Sequence, residues 1–489
     1  MKNQVQLITY ADRLSGGGLK ELKSLLSGPL QGLFGGIHIL PFYDPIDGSD
    51  AGFDPRDHTM VDPRIGTWED IKTISGEVDI MADFIVNHIS SDSEQFKDFL
   101  KKGDASEHAG LFLTMDKVFP DGVTEKELLK IYRPRPWLPF NMVTHADGSK
   151  RVVWTTFTHE QIDIDVNDPV GKAYLTRILE TFQKHGIKMI RMDAVGYAIK
   201  VPGTTSFMIP ESYDFIAELT KKAKELDIEV LVEIHSYYKR QIEVADKVDR
   251  VYDFALPPLV LNAMYESTSL NLKRWYEISP KNAITVLDTH DGIGIIDVGT
   301  VGGEPSFIPE EQVDSLVETI HEKSGGKSRK ATGAAASNLD LYQVNCTFYD
   351  ALGRNDRDYL LARLIQFFSP GTPQVYYVGL LAGENDMELL ERTNVGRDIN
   401  RHYYTHEEVM NALEKPVVQD LCNLIRFRSG HTSFDGGFEV GDTNDDVLHL
   451  KWENGEEWSE MHIDFKTRNF SITYTTNGKV KKLENSFQF

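Results

Sequence analysis

The stretch KMIRMDAVGY, residues 188–197, decides how this chain is read. Its apolar run is the length of a buried strand, and it ends on an acid, Asp193. Two other runs end the same way: EVLVEIHSYY, residues 229–238, carries Glu233, and ITVLDTHDG, residues 284–292, carries Asp291. Strand ends this far apart in sequence share one mouth only if the strands run parallel in one barrel or sheet. In a (β/α)₈ barrel that mouth is where catalysis takes place. Two converging carboxyl groups are the minimum equipment for cleaving a glycosidic bond, one as acid and one as nucleophile or base. A single acid at a strand end is more often a loop cap or a surface charge; the combination points to a carbohydrate-active enzyme. Arg191 lies two residues before Asp193 and so on the same face of the strand. A guanidinium there is expected to keep the carboxylate ionised, as a nucleophile requires, the competing reading being a structural salt bridge.

Outward from this stretch, strand and helix alternate. QLITY, IHIL, IMADFIV, MIRM, VLVEI, VYDFAL, AITVL and QVYYV give eight buried strands, which favours an α/β fold of the (β/α)₈ TIM barrel type over an open sheet. Asp168-Pro169 reads as N-cap and first-turn proline of a helix that Gly186 stops. Thr405 and Glu408 form a capping box, and Pro416 interrupts the helices that follow. Two stretches, 88–166 and 292–354, are too long for simple loops. Both leave from strand ends at the mouth and are expected to be insertion domains that wall the pocket, rather than merely tolerated surface insertions. Past residue 432 the pattern changes to alternation around Asn454-Gly455 and Asn477-Gly478, two hairpin turns of a small C-terminal antiparallel β domain. The expected division is 1–87, 167–291 and 355–432 for the barrel, 88–166 and 292–354 for the insertions, and 433–489 for the β domain.

Composition agrees with a globular enzyme. The 489 residues exceed a minimal barrel, and 40% hydrophobic with 26% charged content is ordinary usage. The formal charge of −23 disfavours nucleic acid and anionic membranes as partners and requires any phosphate to meet a local cluster of cations. No apolar run reaches the length of a membrane span, and MKNQVQLITYADRL lacks the pattern of a signal peptide, so a cytoplasmic protein is expected. Cys346 and Cys422, without CxxC spacing, are expected to be buried free thiols.

At this point the residues resemble a known family. DFIVNH (83–88), RMDAVGY (191–197), EIHSYY (233–238) and LDTHD (287–291) are similar, in this order, to the four short motifs of the α-amylase superfamily. LITYADRL, AGFDPRDHT, YRPRP, YDFALPP, SNLDLYQVN and VYYVGLLAGENDMELL followed by GRDINRHYY resemble the sucrose phosphorylases within it. The resemblance runs from Gln4 to about Arg428. It implies Asp193 as nucleophile, Glu233 as acid and base, and Asp291 as a third acid bonded to sugar hydroxyls. It implies a glucosyl site made by Asp50 and Arg397 at the far edge of the ring, His88 and His290 near the reaction centre, Arg191, and Phe53 with Tyr197 as an apolar platform. It implies an acceptor site from Pro134, Arg135, His235, Asp340, Tyr342 and Gln343, with Arg133 and Arg135 as the local cations for phosphate. The substrates and products implied are sucrose, phosphate, glucose 1-phosphate and fructose, with no metal or organic cofactor, in a monomer or homodimer. Phosphorolysis of another glucoside (sucrose 6′-phosphate, glucosylglycerol or glucosylglycerate), a retaining hydrolase or transglucosylase, and a non-catalytic sugar-binding barrel stay open as alternatives.

Overall fold

The computed structural model describes residues 1–48, 50–135, 137–332 and 343–489. Eight strands close into a barrel: β1 (Gln6–Thr9), β2 (Gly36–Ile39), β3 (Asp79–Ile85), β4 (Ile187–Asp193), β5 (Glu229–Val232), β6 (Arg250–Asp253), β7 (Ala283–Thr285) and β8 (Thr372–Tyr376). Each pairs in parallel with its sequence neighbours, and β1 closes on β8. Their apolar runs are buried on both faces, one against the barrel interior and one against the helices. β7 is shorter than AITVL, ending at Thr285, so the chain reaches Asp291 through six further residues of non-strand backbone.

The flanking helices begin and end where their caps dictate. The Asp168 side chain accepts from Val170 N at 2.8 Å, Pro169 opens helix Pro169–Lys184, and Gly186 turns the chain away at φ 82°. Thr405 and Glu408 cap His406–Leu413 reciprocally, and Pro416 opens Pro416–Gly430 as its first residue.

The first insertion carries two antiparallel ribbons, His88–Ser90 with Gln161–Asp163 and Phe140–Thr144 with Lys150–Trp154, over a small core of Leu113, Val118, Phe119, Ile131 and Trp154. A buried lysine fastens it to the barrel. Lys200 Nζ is 2.7 Å from Asp163 Oδ2 in the insertion, donates to Asn87 Oδ1 at 3.1 Å and to the Tyr197 carbonyl, and its side chain is 2% exposed. Removing one partner of such a buried pair costs roughly 3–5 kcal/mol, because the other charge is left in low dielectric. In the second insertion, Ile293–Gly294 pairs antiparallel with Gln343–Val344, bringing the two ends of the insertion together at the mouth. Asp340 and Tyr342 lie outside the described residues.

The C-terminal domain is a five-stranded antiparallel meander: β9 (Gly437–Val440), β10 (Val447–Asn454), β11 (Glu457–Asp464), β12 (Phe470–Thr476) and β13 (Lys479–Glu484). Asn477 and Gly478 both have positive φ, as a type I′ turn requires. The other turn sits one residue later than the sequence reading: Asn454 still pairs with Glu457, and Gly455-Glu456 make the loop. Leu448, Leu450, Trp452, Met461, Ile463 and Ile472 face inward, and Trp452 Nε1 donates to the Phe368 carbonyl at 2.8 Å, fixing the sheet to the barrel. No helix among the described residues is long and apolar enough to cross a membrane.

Candidate active site

One pocket at the mouth is lined by Asp193, Glu233 and Asp291 together. It is built from the barrel interior upward. Arg191 on β4 is the register partner of Asp83 on β3. Its Nη1 donates to Asp83 Oδ1 at 2.6 Å and to Asp193 Oδ1 at 2.7 Å, and Nη2 is 3.9 Å from Glu233 Oε1. Asp83 is held in turn by His38 Nε2 at 2.9 Å, so a fully buried column steadies the guanidinium from below. Asp193 is the last residue of its strand, and Ala194 leaves it at φ 54°, a left-handed backbone that turns the chain sharply at the carboxylate.

The electrostatics differ from the sequence expectation. Burial pushes the Asp193 carboxyl well above the usual carboxylate range; Arg191 pulls it back, while Glu233 and Asp83 push it further up. Arg191 does not hold Asp193 ionised unaided, because one positive charge is divided among three carboxylates. Arg191 donates to Asp193 and only approaches Glu233, so of these two carboxyls Asp193 takes the greater share of the guanidinium charge.

Around the third acid, Asp291, the polarity is reversed. Arg397 Nη1 lies 2.9 Å from Asp291 Oδ1 and 3.9 Å from Asp50 Oδ1, and Gln161 Nε2 donates to Asp50 Oδ2 at 2.9 Å. Although burial opposes it, Arg397 above all, with His235 behind it, holds the Asp291 carboxyl well below the usual range, so it is a fixed anion. Burial drives His290 well below the usual histidine range, and with it toward the neutral form. Its ring stacks on Phe53 with centroids 4.9 Å apart and 11° between planes. His88, also kept neutral by burial, puts its Nε2 on the Phe53 carbonyl at 2.8 Å. Phe53 and Tyr197 both line the pocket, each within its own set of ring contacts. Tyr197 packs with Phe207, Phe157 and Tyr132 on the insertion side.

The same pocket is lined by Arg133, Pro134, Arg135, His235 and Gln343. The Arg135 guanidinium lies over the Phe157 ring at 5.8 Å. His235 stacks on Phe254 at 3.7 Å, and its Nδ1 is 3.0 Å from Asp297 Oδ2. Burial works against charge on this ring, but Asp297, together with Glu233 and Asp291, more than offsets it and raises its pKa. Gly294 makes the pair possible, since a Cβ there would stand 2.1 Å from Asp297 Oδ2. Nε2 of Gln343 is buried with no hydrogen-bond partner among the described residues.

Comparison with known proteins places this geometry in a family. The model of the α-amylase catalytic domain matches residues 30–290. The chain is 59% identical to a sucrose phosphorylase of Agrobacterium vitis, covering 97% of both chains. It is 50% identical to a sucrose phosphorylase of Bifidobacterium adolescentis, covering 99% of this chain and 97% of that one. Among solved structures, a sucrose 6F-phosphate phosphorylase from Thermoanaerobacter thermosaccharolyticum superposes with a TM-score of 0.91 at 39% identity, over 99% of this chain and 98% of the other. The chain belongs to the α-amylase family, in its sucrose phosphorylase branch.

Sequence reasoning for this branch member missed the residues that act through others. Asp297 is the partner of His235, and Lys200 with Asp163 holds the insertion in place. Tyr132, Phe157 and Phe207 form most of the outer apolar wall. Of these, Phe157 and Phe207 stand outside any motif, and only Tyr132, in YRPRP, carried a signal in the sequence. Glu233, His235 and Asp291 bring ligand atoms within 4.8 Å of one another. Arg397 already pairs with Asp291 in that group.

Proposed function

We propose that this chain is a sucrose phosphorylase, converting sucrose and phosphate to α-D-glucose 1-phosphate and D-fructose. Asp193 attacks the anomeric carbon of the glucosyl unit, and the bond to fructose breaks as Glu233 gives its proton to the departing oxygen. A covalent β-glucosyl-enzyme results. Phosphate then attacks the same carbon while Glu233 takes its proton, the bond to Asp193 breaks, and the α configuration is retained. Asp291 and Arg397 bind sugar hydroxyls at the deep end, where hydrogen bonds that strengthen at the oxocarbenium-like transition state lower the barrier. His88 and His290 hold further hydroxyls, which requires His88 to exchange the Phe53 carbonyl for the sugar.

The phosphate half is supported by the cations that this acidic protein brings to the pocket. Arg133, Arg135 and His235 line it together with the catalytic acids, although the chain as a whole bears a net charge of −23. The Gln343 amide supplies a donor for a fructosyl or phosphate oxygen. The intact acids and Arg191 speak against a non-catalytic sugar-binding barrel. The reading also includes a cytoplasmic enzyme, consistent with two buried free thiols, acting as a monomer or homodimer.

The test is sucrose turnover with and without phosphate, following glucose 1-phosphate and free glucose separately. Glucose 1-phosphate is expected to dominate at high phosphate; release of glucose alone would leave a hydrolase. Arg135→Ala sharpens it. This variant is expected to raise the phosphate KM by about 10- to 100-fold, the loss of one charge-assisted contact. Release of fructose in the first step should change little, and product should shift toward free glucose. An unchanged phosphate KM would place the anion elsewhere.

A further inference from the structure

The outward face of the C-terminal sheet, remote in sequence from every motif, brings together three side chains able to ligate a metal. His449 on β10 and His462 on β11 are direct cross-strand partners. Glu460 lies two residues before His462 and therefore projects from the same face. The His449 Nε2 atom is 3.1 Å from Glu460 Oε2. The two imidazoles are stacked, with centroids 3.9 Å apart and 15° between planes. Ligand atoms of all three residues lie within 4.8 Å of one another.

Several neighbours keep the cluster in this form. A Cβ at position 441 would stand 1.9 Å from His449 Nδ1, so Gly441 lets β9 run close against the ring on the side away from Glu460. Lys451, which faces Glu460 across the strands, is bonded to Glu453 instead. The Glu460 carboxylate is thereby left to the histidine. The opposite face of both strands packs on the barrel, so nothing in the core requires two histidines and a glutamate here.

We propose that His449, Glu460 and His462 form a site for a divalent first-row transition ion of the Zn²⁺ type, completed by solvent. Two imidazoles and one carboxylate are a donor set that suits such ions and leaves a fourth position open. Metal–ligand distances of ~2.0–2.2 Å require the three donors to draw together slightly. Rotation of these half-buried side chains achieves this without moving either strand. A bound ion ties β10 to β11 from outside and is independent of the sugar pocket.

The test uses the full chain prepared without a polyhistidine tag. Zn²⁺ is titrated calorimetrically, and Co²⁺ is followed by its visible absorption, which reports nitrogen ligation. One equivalent is expected to bind, with affinity reduced about tenfold or more in His449→Gln and His462→Gln. His159→Gln, an exposed histidine elsewhere, should bind as the unaltered protein does. Sucrose turnover should be unchanged in all three variants. Absence of binding at millimolar Zn²⁺, or equal binding by the His449→Gln and His462→Gln variants, overturns the proposal. Zn²⁺ that binds those variants and inhibits turnover would instead occupy Glu233, His235 and Asp291, and would equally overturn it.

Discussion

Asp193→Ala is expected to lower sucrose turnover by about 10⁵-fold or more, the scale on which loss of a nucleophile acts. Without the carboxylate no glucosyl ester can form, and Arg191 is left paired chiefly with Asp83. The variant should fold, because Asp193 ends its strand at the pocket and makes no contact in the apolar core; circular dichroism checks this. Azide, small enough to enter the space vacated, should attack the sucrose carbon from the opposite face and give the β-glucosyl azide. Fructose release at a tenth of the original rate would mean that another group is the nucleophile.

Glu233→Gln separates the two carboxyl roles. Turnover of sucrose, whose fructosyl oxygen needs a proton to leave, is expected to fall by about 10²–10⁴-fold. α-Glucosyl fluoride has a leaving group that needs far less help, so the enzyme should still be glucosylated by it. Azide requires no general base and should then intercept the ester from the α face. The product is α-glucosyl azide, opposite in configuration to that from Asp193→Ala. The pair of stereochemical outcomes is a stricter test than either rate. If sucrose and the fluoride lose activity equally and azide has no effect, Glu233 is not the proton carrier.

What the sequence made legible was whatever depends on periodicity and strand ends. Eight apolar runs, an acid after three of them, capped helices and glycine turns are local signals, and the barrel follows from them. The charge state of Asp193 was not legible in this way. Arg191 looks dedicated to Asp193 when read along one strand, and only the register of β4 against β3 reveals Asp83 on the other side of the guanidinium. Lys200 and Asp163 are 37 positions apart, one in a loop and one in a ribbon of the insertion, and no spacing rule joins them. Asp297 follows the LDTHD motif in irregular backbone, where neither period applies. The later turn at Gly455 has a simple cause: glycine occupies the first loop position with φ 64°, while Asn454 remains paired as strand.

The placement of the pocket over the barrel has a consequence in time. Arg397 stands between Asp291 and Asp50, and the packed barrel interior lies beneath the acids. Whatever enters must leave by the mouth through which it came. Under the proposed reaction, fructose and phosphate also converge on the same outer residues. Phosphate therefore has to wait until fructose has departed, and the glucosyl ester is the only record of the first half-reaction during that interval. Turnover should accordingly give parallel double-reciprocal plots when sucrose and phosphate are varied together, and fructose should compete with phosphate. Lines that intersect would mean that both substrates are held at once, and hence that the fructosyl and phosphate positions do not coincide.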